Sequence, residues 1–235
     1  TTPQPLSSLL DFALFDLDGT LIDSAPDLYR AAIAMTTQIQ LPARSLDQVR
    51  SWIGDGVSRL VERVISGSVH GQVDPQLAAT GERLFREAYA QAPCVDSSLY
   101  PGALETLDHL VEMGIHLGLV TNKAECFTWP ILEQLKIERY FDVVVGGDTL
   151  PTRKPDSGPL LHAMSKIGVG NRGVLIGDSE TDIRAAQAAG MPIVAVSYGY
   201  NRGRDIGLLG PDVVVHTLLD LPDVLTHLAS RHWTT

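Results

Sequence analysis

The sequence predicts an α/β fold with a mainly parallel sheet and an inserted all-helical segment, and three observations carry that expectation. Short apolar runs ending in polar or acidic residues recur along the chain with helical patterns between them, as expected of strands alternating with helices. Two of the runs, Val143-Val144-Val145 and Val213-Val214-Val215, are continuously apolar, as strands buried on both faces are. Between Asp23 and Leu99 the alternation stops, and one helical pattern follows another.

In chain order, the strands are expected at 12–16, 115–121, 142–146, 174–178, 193–196 and 213–215. Helical patterns at 26–37, 45–52, 57–65 and 75–89 make up the insert, whose edges carry the turn signals Ser24-Ala25-Pro26 and Tyr100-Pro101-Gly102. After it, Pro101-Gly102 opens an amphipathic stretch that Gly114 stops, and a helix over 182–189 is closed by Gly190. The expected organisation is therefore a catalytic core of residues 1–22 and 99–235 around a helical cap of residues 23–98. A chain of 235 residues has interior enough for such a core with a smaller insert.

The chemistry concentrates where strands end. Phe12-Ala13-Leu14-Phe15 runs into Asp16-Leu17-Asp18-Gly19-Thr20, two carboxylates spaced i, i+2 and then a glycine turn. Ligands of open α/β sheets bind in the crevice beyond the carboxyl ends of the strands, which is where this turn would deliver both acids. A calcium loop is excluded, because its sixth position needs glycine and the sixth residue from Asp16 is Leu21. Later strand ends supply matching groups. Thr121 and Asn122 offer a hydroxyl and backbone N–H groups for a phosphate oxygen. Lys154, just before Pro155, offers a point charge. Gly177-Asp178 ends another strand in a carboxylate, with Asp182 one helical turn on.

Taken in order, Asp16-x-Asp18-Gly-Thr, Thr121, Lys154 and Gly177-Asp178-x-x-x-Asp182 resemble the four motifs of the haloacid dehalogenase superfamily. The resemblance implies a Rossmann-like three-layer core with a helical cap inserted after the first motif. More locally, Gly146-Gly-Asp-Thr-Leu-Pro-x-x-Lys154-Pro-Asp and Ser197-Tyr-Gly-Tyr-Asn-x-Gly look like bacterial phosphoglycolate phosphatases, with Ser157-Gly158 where that subgroup often has Pro-Ala.

The implied activity is magnesium-dependent hydrolysis of a small phosphate monoester through an aspartyl phosphate on Asp16, with 2-phosphoglycolate as the expected substrate. A dianionic phosphate approaching a carboxylate nucleophile requires a cation, and Mg²⁺ takes oxygen ligands. Asp16 and Asp178 are the expected side-chain ligands, and the resemblance adds the backbone carbonyl of Asp18. Asp182 is expected to orient a metal-bound water, Thr121, Asn122 and Lys154 to hold the phosphate, and Asp18 to act as general acid and base.

Asp18 argues against dehalogenation, which has no alkoxide to protonate. The first lysine of the chain is Lys123, so the insert lacks the lysine that a phosphonatase or a sugar phosphomutase would place there. The alternatives are a sugar or amino-sugar phosphate phosphatase and, from another class, a phospho-receiver signalling domain, which needs about half this length and no cap. Gly168-Val-Gly170-Asn-Arg-Gly173 fits a dinucleotide fingerprint letter by letter but precedes a strand, whereas that fingerprint joins a strand to a helix.

Leaving-group selection is expected in the cap, at Trp52-Ile53-Gly54-Asp55-Gly56-Val57. Gly54 and Gly56 allow close backbone approach, the helix starting at Val57 presents unpaired N–H groups, and Arg59 or Arg63 could bind a carboxylate.

Bulk properties narrow the partners. With 18 Lys and Arg against 28 Asp and Glu, the formal charge of −10 disfavours nucleic acid and anionic membranes. No run approaches the length of a membrane span, and the first ten residues lack a signal-peptide pattern, so a cytoplasmic location is expected. Cys94 and Cys126 form no paired motif and fit a reducing interior, where such residues are usually small buried hydrophobes.

Overall fold

The structure, a computed structural model, describes residues 5–233; the ends of the expected core, residues 1–4 and 234–235, lie outside the described residues. In chain order the elements are β1 (Phe12–Phe15), β2 (Ile22–Asp23), α1 (Ala25–Gln38), α2 (Leu46–Trp52), α3 (Val57–Ser66), α4 (Pro75–Gln91), β3 (Ser98–Leu99), α5 (Ala103–Glu112) and β4 (His116–Val120). Then follow α6 (Glu125–Leu135), β5 (Val143–Val145), α7 (Gly158–Ile167), β6 (Gly173–Gly177), α8 (Glu180–Ala189), β7 (Ile193–Val196), β8 (Val213–Val215) and α9 (Leu221–Trp233).

Among the described residues, six strands form a parallel sheet in the order β5-β4-β1-β6-β7-β8. The chain winds outward from β1 through β4 and β5, then crosses to the other side for β6, β7 and β8. The order reverses at β1, and the crevice beyond its carboxyl end lies at that switch point. Register fixes what reaches the crevice. Phe15 pairs with Leu119 of β4 and with Ile176 of β6, so Asp16, Thr121 and Asp178 all emerge at one edge within two residues of those pairs. Apolar side chains fill both faces of the sheet: Ala13, Phe15 and Ile176 on one, Phe12, Leu14 and Leu175 on the other. This is the two-sided burial that continuous apolar strands require.

Four helices, α1 to α4, lie between β2 and β3 among the described residues. Met35, Val61, Ile65, Leu84 and Phe85 are buried among them. The chain leaves the sheet through β2 and returns through β3, which pair antiparallel, Ile22 with Leu99 and Asp23 with Ser98. The buried Asp27 in the first turn of α1 fastens this crossing. One of its oxygens accepts from the Val95, Asp96 and Ser97 amides and the Ser97 hydroxyl at 2.5–3.1 Å, while Arg30 pairs with the other. Tyr200 fastens the other side, its hydroxyl accepting from the Ser24 and Ala25 amides and donating to Asp23.

Two helices, α6 and α9, and the β2–β3 pair have no counterpart in the sequence reading. In α6, Pro130 lies inside the helix and masks it, since proline there removes an amide and crowds the preceding turn. A two-residue strand is too short to show any period. Both cysteines are free, and neither is the buried hydrophobe expected: Cys94 is half-buried, and Cys126 is exposed on the first turn of α6.

Candidate active site

Asp16 follows β1 directly and is buried, its amide donating to the Ile176 carbonyl at 2.9 Å. Its carboxylate meets Lys154 Nζ at 2.8 Å, and the same ammonium reaches Asp182 Oδ1 at 2.6 Å. Burial pushes the Asp16 carboxyl up to about 7; Lys154 opposes the rise, and Asp182 and Asp18 add to it. The Asp178 carboxyl is raised as well, first by burial and then by Asp16 and Asp182. For Lys154 burial works against the charge, but the two flanking carboxylates more than offset it and hold the ammonium above its ordinary range.

The remaining acids are positioned by short-range hydrogen bonds. Asp182 caps its own helix: Oδ2 accepts from the Asp178 and Ser179 amides and from the Ser179 hydroxyl, and Ser179 Oγ accepts from the Asp182 amide in return. Asp178 accepts from Thr20 Oγ1 at 3.2 Å and from the Tyr200 amide at 2.5 Å. Glycine is required around it. Gly19 has φ +91°, and a Cβ there would lie 2.2 Å from Asp178 Oδ2; at Gly199 it would lie 2.2 Å from Asp178 Cβ.

Asp16, Asp178 and Asp182 each bring a carboxylate oxygen within 4.8 Å of the others, all three being buried. Three buried carboxylates with one nearby ammonium leave negative charge uncompensated, and a hard divalent cation with oxygen ligands answers both needs. The donor set fits Mg²⁺.

Asp18, half-buried, accepts from the Ser24 hydroxyl and lies 3.1 Å from Lys123 Nζ. Thr121 is buried; its Oγ1 accepts from the Lys123 amide, and among the described residues its O–H has no acceptor. Asn122 follows Thr121 and is half-buried. Its side-chain amide donates to the Gly54 and Lys154 carbonyls at 3.2 and 2.9 Å, so both N–H bonds are spent as a strut between two loops. Any phosphate contact from Asn122 falls to its backbone.

Above the acids lies a half-open cavity, bounded below by Asp16, Asp18 and Thr121 and above by the 53–60 segment. Gly54 and Gly56 line it; Arg59 does not. Its side chain is 46% exposed and pairs with Glu62, three residues on along the outer face of α3, while the inner face carries Leu60, Val61 and Val64. Arg63 is buried and committed to Asp55 and the Trp52 carbonyl.

Sequence reasoning missed Lys123, Tyr89, Asp55 and Tyr200. Asp55 links the 53–60 segment to the sheet side, accepting from Thr181 at 3.1 Å and pairing with Arg202 as well as Arg63. Lys123 had one available signal, its place two residues beyond the strand-end Thr121, where a solvated lysine would be out of register with a buried loop.

Comparison with known proteins agrees with this geometry. Residues 13–196 match the family model described as haloacid dehalogenase-like hydrolase. The chain is 42% identical to the phosphoglycolate phosphatase of Nitrosococcus oceani over 220 residues, covering 93% of this chain and 98% of that one. The phosphoglycolate phosphatase of Thiobacillus denitrificans is also 42% identical, over 95% of this chain and 97% of its own. A crystal structure of a predicted phosphoglycolate phosphatase from Haemophilus somnus superposes with a TM-score of 0.85 at 32% identity, covering 92% and 98% of the two chains. With the matched segment spanning every strand end that carries an acid, the chain belongs to the haloacid dehalogenase-like hydrolases.

Proposed function

We propose that this chain is a phosphatase that hydrolyses 2-phosphoglycolate to glycolate and phosphate. The observation that carries the reading is the Lys154 ammonium held between the buried carboxylates of Asp16 and Asp182 at the sheet's switch point, beneath a half-open cavity. The choice of substrate rests on the relatives that bear that name at 42% identity over nearly their full length.

In this reading residues 23–98 act as a cap over a core formed by the rest of the chain, and Asp16, Asp178 and the Asp18 carbonyl hold Mg²⁺. When bound, the ion neutralises charge on the phosphate and orients it for in-line attack. Asp182 acts one step back, fixing Lys154. An Asp16 oxygen attacks phosphorus as the ester P–O bond breaks, and Asp18 gives its proton to the departing alkoxide oxygen. Asp18, now a carboxylate, takes a proton from water as that water attacks the phosphorus; the bond to Asp16 breaks and phosphate leaves. Lys154, the Thr121 hydroxyl and the loop amides stabilise the equatorial oxygens.

The test is phosphate release from a panel at matched concentrations, with and without chelation. The reading expects kcat/KM for 2-phosphoglycolate to exceed that for hexose and amino-sugar phosphates, and EDTA to abolish turnover until Mg²⁺ is returned. A hexose phosphate leading the panel would replace the substrate; full turnover after exhaustive chelation would remove the metal.

A further inference from the structure

Lys123 is 6% exposed and takes no part in the cluster around Asp16. It follows β4 on the sheet side, while its hydrogen-bond acceptor Tyr89 comes from α4 of the helical insert, so the ammonium sits where the two halves meet. Nζ donates to Tyr89 Oη at 2.7 Å, lies 3.1 Å from Asp18 Oδ1, and is 4.8 Å from the centre of the Tyr89 ring. Burial opposes a charge here, but Asp18 and Tyr89 more than offset it and keep the ammonium protonated well above its ordinary range.

An ammonium has three N–H donors. One reaches Tyr89 and one Asp18; the third has no acceptor among the described residues. Lys123 also lines the cavity above Asp16, and among the described residues lining it Lys123 is the one cation. The facing wall is apolar, built from Leu28, Ile53, Val57 and Leu60. Of the other nearby cations, Lys154 is committed to Asp16 and Asp182, Arg63 to Asp55, and Arg59 to Glu62 at the surface, while Arg153 stands exposed beside Gly56, outside the cavity lining. A leaving group whose ester oxygen approaches Asp18 therefore meets a buried cation with a donor to spare, opposite a wall of hydrocarbon side chains.

We propose that Lys123 is the specificity-determining residue of this site, selecting leaving groups that carry a carboxylate by binding it through the ammonium that Tyr89 and Asp18 hold in place. The assignment rests on the phosphoglycolate reading and moves selection from the arginines of the insert to a lysine beside the general acid. Carboxylate recognition then shares a residue with proton transfer, since the group that anchors the tail also touches Asp18.

The test is a ratio, kcat/KM for 2-phosphoglycolate divided by kcat/KM for 2-hydroxyethyl phosphate, whose tail is neutral and of similar length. Any effect of Lys123 through Asp18 or through packing changes both substrates and cancels. The wild-type ratio is expected well above one; Lys123→Met should lower it by about tenfold or more, and Lys123→Arg, which keeps the charge, should retain most of it. If the methionine variant does not fold, Lys123→Gln is read by the same ratio. A high wild-type ratio with parallel losses in the uncharged variant would overturn Lys123's role and leave the substrate reading intact. A wild-type ratio near one would overturn both.

Discussion

The two walls of the cavity are built on opposite physical plans. The floor, on the sheet side, is charged and tightly specified: Asp16, Asp178, Asp182 and Lys154 are all buried, and each carboxylate is fixed by an ammonium, a hydroxyl or a backbone amide. The roof, on the helical side, is apolar around two glycines and is tied down by a few polar links, chiefly Asp55 to Arg202 and Thr181 and Asn122 to the Gly54 carbonyl. Rigid, preorganised charge suits a reaction whose demands do not change from one ester to another. A roof hung on a few links suits a part that opens for substrate and closes to exclude water. The site thus separates chemistry from access, and Lys123 with Tyr89 stands at the seam.

The largest effect should come from the floor. Asp16→Asn keeps shape but removes the attacking carboxylate, and kcat should fall by about a thousandfold or more on every substrate, with little change in Tm. Retention of a tenth of wild-type kcat, an order of magnitude by definition, would place the nucleophile elsewhere and dissolve the contrast between the two walls.

A smaller and different effect is expected from the roof. Asp55→Ala removes the acceptor shared by Arg63, Arg202 and Thr181; burial works against the Asp55 carboxylate, and Arg63 and Arg202 more than offset it, holding its pKa below the usual range. The variant should lower kcat/KM about tenfold for charged-tail and neutral-tail substrates alike, and lower Tm by a few degrees as Arg63 loses its partner. Unchanged kinetics would mean that this link does not govern closure.

The smallest effect is thermodynamic. A raised carboxyl pKa means the folded protein binds that proton more tightly than the unfolded chain, so Asp16's contribution to metal-free stability grows as pH falls through about 7. A protonated Asp16 cannot hold a cation, so the sign reverses for the metal. The gain in Tm from Mg²⁺ should be larger near about pH 8 than near about pH 6. A gain independent of pH across that range would detach Asp16 from metal binding.

The floor was legible in the sequence and most of the roof was not, for a physical reason. Asp16, Thr121, Asp178 and Asp182 sit at or just past strand ends, and parallel register brings such ends together without further information. Lys154 needed only a loop that returns to the same edge. The pairs Asp55–Arg202 and Lys123–Tyr89 join residues far apart in the chain, on different elements, and depend on how the helices dock. Arg59 shows the same limit from the other side: helix α3 was foreseen, but which of its faces turns inward was decided by Leu60, Val61 and Val64 packing together.

The most direct test of the division between floor and roof is to trap the covalent intermediate with Asp18→Asn and p-nitrophenyl phosphate. This leaving group departs without needing a proton, whereas the attacking water still requires a base, so phosphate should accumulate on the protein after a burst of p-nitrophenol of about one equivalent. Peptide mass spectrometry after acid quench should find that phosphate on Asp16. A full burst with phosphate on another residue, or sustained turnover with no phosphorylated protein, would contradict the account.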